Sequence, residues 1–274
     1  MIDRRTTSKA GTESTDRGVS EVVAFVLVFG IILGSVGLLY VTGIGGMADY
    51  QETEQQVNAE RAMVSLTDNF NDVIRDNGVN QRYGELALRE GQITTGDDGT
   101  EIRVSVDGDP IAENESFEQY HGDDEYLDLG EFTYRHEGRT IAYEGGGLVR
   151  GDESGDWSSV LRQPQLTCND DHGTAVVSLV QVNADDRAVQ SGGGLGVTMS
   201  VENRSSMVYS NAEEVSITVD EDTEYDDAWE TILDSDDEVG WSWDENTDTG
   251  TCDGGDDDDL ERVVVTIVEV DVEY

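Results

Sequence analysis

The chain has 274 residues, enough for one large domain or two small ones with a substantial core. Its 61 acidic and 16 basic residues give a formal net charge of -45. Such an excess repels phosphate backbones, so the composition argues against nucleic-acid binding. It favours folding at high salt, where the Debye length falls to about 3 Å and the self-repulsion of the chain is screened.

The first feature in chain order is an apolar run. Residues 22–41 carry no charge, and as a helix they span about 30 Å, the thickness of a hydrocarbon core. The basic residues that precede this run are Arg4, Arg5, Lys9 and Arg17, whereas the next one after it is Arg61. The positive-inside rule therefore predicts a single-pass membrane protein with a cytoplasmic N-terminus and an extracellular C-terminal domain.

We expect the membrane helix to be retained. The run exceeds the roughly 7 to 15 apolar residues of a cleavable signal peptide, and the sequence at 45–48 resembles a cleavage site only poorly. Gly30 and Gly34 form a G-x-x-x-G pair, which permits close helix packing in lipid. The alternative is that these are ordinary glycines of a membrane helix.

The start of the run resembles a known family. A short basic leader, then Arg17-Gly18, then Val19-Ser20-Glu21 opening an apolar helix is similar to the N-terminus of archaeal type IV pilin-like proteins. The resemblance implies cleavage by a prepilin peptidase after Gly18, so that the mature chain begins at Val19. It also implies self-association or assembly with other pilins.

Glu21 matches by type the pilin carboxylate that helps subunits register. It would be the third mature residue, whereas bacterial pilins place theirs at the fifth. A carboxylate at the edge of hydrocarbon gains from a partner such as a neighbouring subunit's free amine. Alternatively, Glu21 lies in the headgroup layer and reaches water.

A second periodic segment follows the membrane run. Apolar residues recur at helical spacing, at Ala59, Met63, Leu66, Phe70 and Val73. We predict a cytoplasmic leader at 1–18, a transmembrane helix at 19–44, an amphipathic stalk helix at 45–76 with a glycine-softened joint, and a β-rich head at 77–274. A parallel coiled coil between neighbouring chains is an alternative use of the stripe.

The head is predicted from short alternating runs separated by Gly, Asp and Asn. Two runs meet at Glu137-Gly138, which predicts a hairpin, and the last run, 261–274, predicts a strand with Val264 to Tyr274 alternating on its buried face. One helical face holds Tyr225, Trp229, Ile232 and Leu233. The predicted fold class is α+β: a long N-terminal helix and a mainly antiparallel β head of sandwich type with one short helix near the C-terminus.

Two further resemblances concern source and architecture. Low lysine with abundant Asp, Glu, Gly and Thr resembles the proteins of halophilic archaea. The layout of the β region, including the words at 143–155 and 174–182, is similar to uncharacterised haloarchaeal membrane-anchored proteins with pilin-like N-termini. These resemblances imply architecture and location, and no chemistry.

Few residues point to chemistry. Cys168 and Cys252 are disulfide candidates if the head is extracellular, and two unpaired cysteines are the alternative. Asn114 and Asn203 open glycosylation sequons. Trp241 and Trp243 are expected in the core, an adhesive patch being the alternative.

The motifs of metal and enzyme chemistry are missing from the sequence. The three histidines lack metal spacing, and the acidic runs at 234–238 and 253–259 do not follow the EF-hand pattern. No nucleophile motif, Walker loop or dinucleotide fingerprint occurs. The sequence therefore predicts no enzyme activity, cofactor or metal.

The predicted function is that of a pilin-like, membrane-anchored surface protein, serving filament assembly or adhesion. The alternative is an anchored protein that does not polymerise and that binds an envelope component or ligand through its head.

Overall fold

The fold begins with one long helix, α1 (Thr15–Phe70), which carries both the apolar run and the predicted stripe. The computed structural model describes residues 15–76, 78–88, 90–96, 99–121, 125–169, 172–190, 193–234, 240–254 and 259–274, without the side chains of 15–19 and 42–53. Most of the predicted leader lies outside these residues. By contact density the chain divides into two units, Met1–Glu54 and Gln55–Tyr274.

The backbone of α1 remains helical through Gly43, Gly45 and Gly46, where the sequence predicted a softened joint. Isolated glycines lower helix propensity by about 1 kcal/mol each relative to alanine without preventing helical dihedral angles, so they do not end the helix. The predicted boundaries between leader, membrane helix and stalk stay predictions.

The predicted apolar stripe is confirmed, and it lies in the core of the second unit. Ala59, Met63, Leu66, Phe70 and Val73 are all buried there. They pack with apolar residues of the head strands in what we call the second core. Because the stripe is covered by its own chain, it is not available for a coiled coil with a neighbour.

A short second helix, α2 (Asp72–Arg75), follows α1, and α3 (Asp226–Leu233) is the predicted helix near the C-terminus. The strands are β1 (Gln81–Leu88), β2 (Gln92–Gly96), β3 (Glu101–Val106), β4 (Asp109–Pro110), β5 (Leu127–Asp128), β6 (Glu131–His136), β7 (Arg139–Glu144), β8 (Gly147–Asp152), β9 (Ser158–Arg162), β10 (Gln165–Asn169), β11 (Thr174–Val182), β12 (Arg187–Gln190), β13 (Gly193–Tyr209), β14 (Glu214–Val219), β15 (Ser242–Asp244), β16 (Thr249–Asp253) and β17 (Arg262–Glu273).

The described strands form three sheets. Sheet A has the order β1-β13-β17-β11-β10, sheet B the order β12-β2-β6-β7-β8-β9, and sheet C the order β15-β16-β14-β3-β4 with β5 beside β3. The pairing is antiparallel except between β11 and β17, which run parallel. The predicted class, α+β with a mainly antiparallel head and a short helix near the C-terminus, is confirmed.

The last strand corrects one prediction. Val268, Val270 and Val272 are buried as expected, but in the first half of β17 the buried residues are Val263, Val265 and Ile267, on the opposite face. The predicted burial of Val264 and Thr266 is therefore wrong, since both are only half-buried. The alternation along β17 is regular. What changes at Ile267 is which face of the strand is covered.

Sheet A changes its covered face because it lies against two cores. The early valines of β17 belong to a first core, which also holds Trp229 and Trp241, whereas the late valines belong to the second core under α1. β11 changes at the same level, since Leu179 pairs with Ile267 and Val180 with Val268. Sheet A thus joins the two halves of the head.

Candidate functional site: a polar sheet face over buried carboxylates

The most unusual chemistry of the head lies on one face of sheet B. Strand alternation places Glu131, Thr133 and Arg135 of β6 on the same side, beside Thr140 and Glu144 of β7. The opposite face of these strands is apolar and packs on the second core. The register puts Glu131 directly opposite Glu144, because the neighbouring pair is Phe132 with Tyr143. We call this surface the polar face.

Glu144 is the deepest group of the polar face, with 1% of its surface exposed. Its Oε1 accepts hydrogen bonds from Trp229 Nε1 at 2.7 Å and from the Thr100 hydroxyl at 2.9 Å. Its Oε2 accepts from the Thr100 backbone N–H at 3.2 Å. Burial nevertheless raises the pKa of Glu144 to about 7, and the nearby Glu131 adds to the rise.

Glu131 lies opposite Glu144 and forms an ion pair with Arg135, which is partly exposed. Its Oε1 accepts a hydrogen bond from Arg135 Nη2 at 3.0 Å, and its Oε2 accepts one from the Tyr225 hydroxyl at 3.4 Å. Burial raises the pKa of Glu131 above its usual value, against the lowering effects of Thr133, Arg135 and Tyr225. The two glutamates therefore share one enclosed and partly neutralised environment.

The turn after Glu144 is tied to the end of α1 by hydrogen bonds. Gly145 and Gly146 have φ values of 58° and 87°, a region that favours glycine. Asn71, at the end of α1, donates from Nδ2 to the Gly146 carbonyl at 2.7 Å and accepts from the Tyr143 hydroxyl at 3.0 Å. Gly145 and Gly146 thus form the tight turn between β7 and β8.

Two open cavities border sheet B and share Arg135 as a lining residue. The larger, about 460 Å³, is the His136 cavity, and its lining residues are Glu90, Gly91, Gln92, Arg135, His136, Glu137, Glu153 and Gln190. The smaller, about 260 Å³, is the Arg187 cavity, and its lining residues are Thr94, Thr95, Gly96, Glu131, Arg135, Asp186, Arg187 and Ala188. The lining surface of the larger cavity is mainly polar, which suits a small polar ligand, whereas that of the smaller cavity is mainly apolar.

The residues predicted from the sequence lie elsewhere. Gly18 and Val19 are in the helical backbone of α1, with side chains outside the described set, and Glu21 is exposed near the start of the apolar segment. At Gly30 and Gly34, a Cβ atom would meet nothing within 4 Å. This glycine surface is open in the single chain.

The two sequons differ in their surroundings. The side-chain amide of Asn114 is half-buried and donates to the Met207 sulfur at 3.1 Å. Asn203 is exposed on β13 beside a bulge, and its amide donates to Glu269. Accessibility therefore favours Asn203 over Asn114 as a site of modification.

Cys168 and Cys252 form a disulfide in the structure, with their Cα atoms 5.7 Å apart. It joins β10 of sheet A to β16 of sheet C. Trp241 is buried in the first core as expected, and Trp243 packs against it. Within the described residues, no group of three or more His, Cys, Asp or Glu side chains is placed to hold a metal ion. Residues 235–239 and 255–258 of the acidic runs lie outside the described residues.

The segment Ser20–Val41 of α1 is long and apolar enough to cross a membrane, with a mean hydropathy of 2.8 and none of it buried inside the protein. An anchor and a signal sequence share this property. The sequence profile of DUF7289, a family of unknown function, matches residues 17–273, which cover both this segment and the head. The chain belongs to the DUF7289 family. No curated protein and no solved structure matches this DUF7289 protein.

Sequence reasoning missed the polar face of the DUF7289 protein, although a signal for it was present. The alternation that predicted the hairpin at 130–146 also puts Glu131, Thr133 and Arg135 on one side. In a chain with 61 acidic residues, however, a polar side of a strand is expected to face water. Burial of Glu144 depends on α3, which lies about 85 residues further along the chain.

The raised pKa of Glu144 predicts how stability depends on pH. With its pKa raised to about 7, Glu144 is expected to keep its proton in the folded state up to about that pH, whereas the unfolded chain releases it near the ordinary glutamate pKa of 4.5. The contribution of this group is thus complete below about pH 4.5 and is lost as pH rises through about 7, on the order of 3 kcal/mol. Denaturant unfolding of the full chain at several pH values, in molar KCl, measures this slope.

The matched variants are Glu144→Gln and Glu118→Gln, which make the same change of charge at a buried and at an exposed position. We expect Glu144→Gln to flatten the fall in unfolding free energy between pH 4.5 and 7, and Glu118→Gln to leave it in place. An equal slope in all three proteins would show that Glu144 does not retain its proton in the folded state.

Proposed function

We propose that this DUF7289 protein is a pilin-like, membrane-anchored cell-surface protein of a halophilic archaeon, with a role in surface filament assembly or adhesion. The observation that carries the proposal is the composition of α1. One part of this helix is membrane-length, apolar and unburied, and another part, from Ala59 to Phe70, belongs to the second core of the head. The apolar segment and this part of the second core therefore belong to one continuous stretch of the chain.

The start of the apolar segment supports the pilin-like part of the proposal. Arg17-Gly18 followed by Val19 fits a prepilin peptidase site, and the DUF7289 match begins at Arg17. The basic residues precede the segment, which favours a cytoplasmic N-terminus. Glu21 is exposed near its start, as an assembly carboxylate would be.

Three features support an extracellular position of the head. The disulfide between Cys168 and Cys252 is typical of oxidising surroundings. The net charge of -45 suits a protein bathed in concentrated salt. An accessible Asn203 is consistent with glycosylation outside the cell.

A second candidate function is that of an anchored protein that does not polymerise and that binds an envelope component or ligand through its head. The two cavities that border sheet B favour it. The two candidates share the anchor and differ in whether identical subunits associate.

The mature N-terminus tests the shared part of the proposal. We expect mass spectrometry of the protein extracted from native membranes to give a chain that begins at Val19. In the variant Gly18→Val the leader should remain attached while the protein still fractionates with membranes, because the apolar segment is unchanged. If cells release into the medium a form of the protein that begins beyond Gly46, the apolar segment is cleaved off and the proposal is wrong.

Crosslinking in intact cells separates the two candidates. Ladders of identical subunits favour assembly, and monomers throughout favour the second candidate. If Glu21 acts in assembly, Glu21→Gln should insert normally but lose the ladders, whereas the control Glu54→Gln, an exposed carboxylate outside the apolar segment, should keep them. Ladders that persist in Glu21→Gln would exclude this role for Glu21.

A further inference from the structure

The His136 cavity carries a more specific inference. It lies at the end of sheet B where β2 begins and where β6 and β12 end. The register pairs Gln190 with Gln92 and Gln92 with Arg135, so these three side chains stand in a row across β12, β2 and β6. Paired residues share a face and neighbouring strands are about 4.8 Å apart, so the row lies on the same side of the sheet as the polar face. All three residues line the cavity, whose volume is about 460 Å³.

The wall of the cavity at the strand ends is fixed by packing. The Tyr134 hydroxyl, on the other side of β6, donates to the Glu90 carbonyl at 2.7 Å. Gly91 has a φ of 110°, and a Cβ atom at this position would collide with the Tyr134 ring. The His136 ring stacks on Tyr134, and its Nε2 lies 3.7 Å from Glu90 Oε2. These contacts hold the backbone of Glu90 and Gly91 against the end of β6.

The lining groups of the cavity discriminate by hydrogen-bonding type. The carboxylates of Glu90, Glu137 and Glu153 only accept, so an anion, which lacks donors, finds repulsion there. The part-exposed guanidinium group of Arg135 only donates, so an ammonium ligand, itself a donor, gains no bond from it. Among the described lining residues there is no aliphatic side chain and no Phe, Tyr or Trp on which an apolar ligand could pack. The lining therefore fits a neutral ligand whose groups both donate and accept.

We propose that the His136 cavity binds a neutral saccharide, whose hydroxyl groups are recognised by the row of Gln92, Gln190 and Arg135. A hydroxyl group donates and accepts, as a glutamine amide does, so the two amides match neighbouring hydroxyl groups of a sugar. Hydrogen bonds to an uncharged ligand depend little on ionic strength, which suits recognition in molar salt. The inference rests on the second candidate function, ligand binding by the head, and is independent of filament assembly.

A glycan array tests the inference. The full chain is solubilised in a zwitterionic detergent, because a detergent with a sugar headgroup would compete for the cavity, and it is applied to immobilised neutral and acidic glycans in about 1 M KCl. We expect binding to at least one neutral glycan and to none of the acidic ones. Calorimetric titration with that neutral glycan follows, and its affinity should change by less than about twofold when KCl is raised to about 3 M.

The decisive variant is Gln92→Leu/Gln190→Leu, which keeps the charge and the approximate side-chain size but removes both amides from the row. We expect it to weaken binding of the neutral glycan by at least about tenfold. Gln190→Leu alone changes only an exposed position of the edge strand β12, so it should weaken binding with the denaturant midpoint unchanged. The control Gln81→Leu makes the same exchange at an exposed position of β1, the edge strand of sheet A, and should bind as the parent does.

Three results overturn the inference: no neutral glycan is bound, the bound glycan is held equally well by the parent and both glutamine variants, or its affinity falls steeply as KCl is raised. None of them bears on anchoring, leader cleavage or crosslinking, which are measured on native membranes and intact cells. Failure of the saccharide site is therefore distinguishable from failure of the proposed function.

Discussion

Loss of the Cys168–Cys252 disulfide is expected to lower the free energy of unfolding by about 4.5 kcal/mol. The bond closes a loop of 84 residues, and this long loop gives the unfolded chain many conformations that the crosslink removes. The expected loss is of the same order as the whole stability of many domains. The head should therefore be only marginally folded when its disulfide is reduced.

The bond joins two sheets that also share the first core. Cys168 is on β10, an edge strand of sheet A, and Cys252 is on β16, next to the edge of sheet C. Cys252 is completely buried in the first core. The double variant Cys168→Ala/Cys252→Ala removes the crosslink without burying a hydroxyl group.

Denaturant unfolding of the full chain in molar KCl, with and without a reductant, measures the effect. We expect the reductant to lower the unfolding midpoint of the parent protein towards that of the double alanine variant, and to leave the variant unaffected. A parent protein whose midpoint is the same in both conditions, with reduction verified by thiol titration, would contradict the prediction.

The head also shows what sequence patterns reveal and what they leave out. Alternation predicted the hairpin of β6 and β7, and helical spacing predicted both α3 and the stripe from Ala59 to Val73. These signals are local, because a strand or helix displays its own period in its own residues. The structure confirms all of them.

The coverage of a face depends on distant parts of the chain. β17 has one regular alternation, yet its buried side changes at Ile267 because two cores lie on opposite sides of sheet A. Glu144 looks like one acidic residue among 61, and only α3 and Thr100 make it a buried acceptor. The alternation of residues along each strand therefore does not predict the polar face or the cavities beside it.

The second unit holds its part of α1 by charge as well as by apolar packing. Arginines on three successive strands of sheet B reach the helix. Arg150 Nη1 lies 2.7 Å from Glu60 Oε1, Arg162 Nε lies 3.3 Å from Asp68 Oδ1, and Arg139 donates to Gln56. These pairs are part-exposed, so each contributes little to stability and mainly fixes the register of the helix on the sheet.

The buried apolar stripe of this helix should contribute much more to the stability of the head than these pairs do. Phe70 is fully buried and packs edge to face with Tyr143, the residue before Glu144, at a ring distance of 5.9 Å. We expect Phe70→Ala to lower the free energy of unfolding by about 3 to 5 kcal/mol, since it removes a large buried ring and leaves a cavity. The loss should be similar above and below pH 7, because the ring carries no charge.

Val57 provides the control on the same helix, since 36% of its surface is exposed. Val57→Ala should change the unfolding free energy by no more than about 0.5 kcal/mol. Hydrogen exchange adds a local readout: in Phe70→Ala the amides of 59–70 should lose protection together with those of β7. If these helix amides exchange quickly in the parent protein and Phe70→Ala costs no more than Val57→Ala, then this part of α1 does not belong to the head.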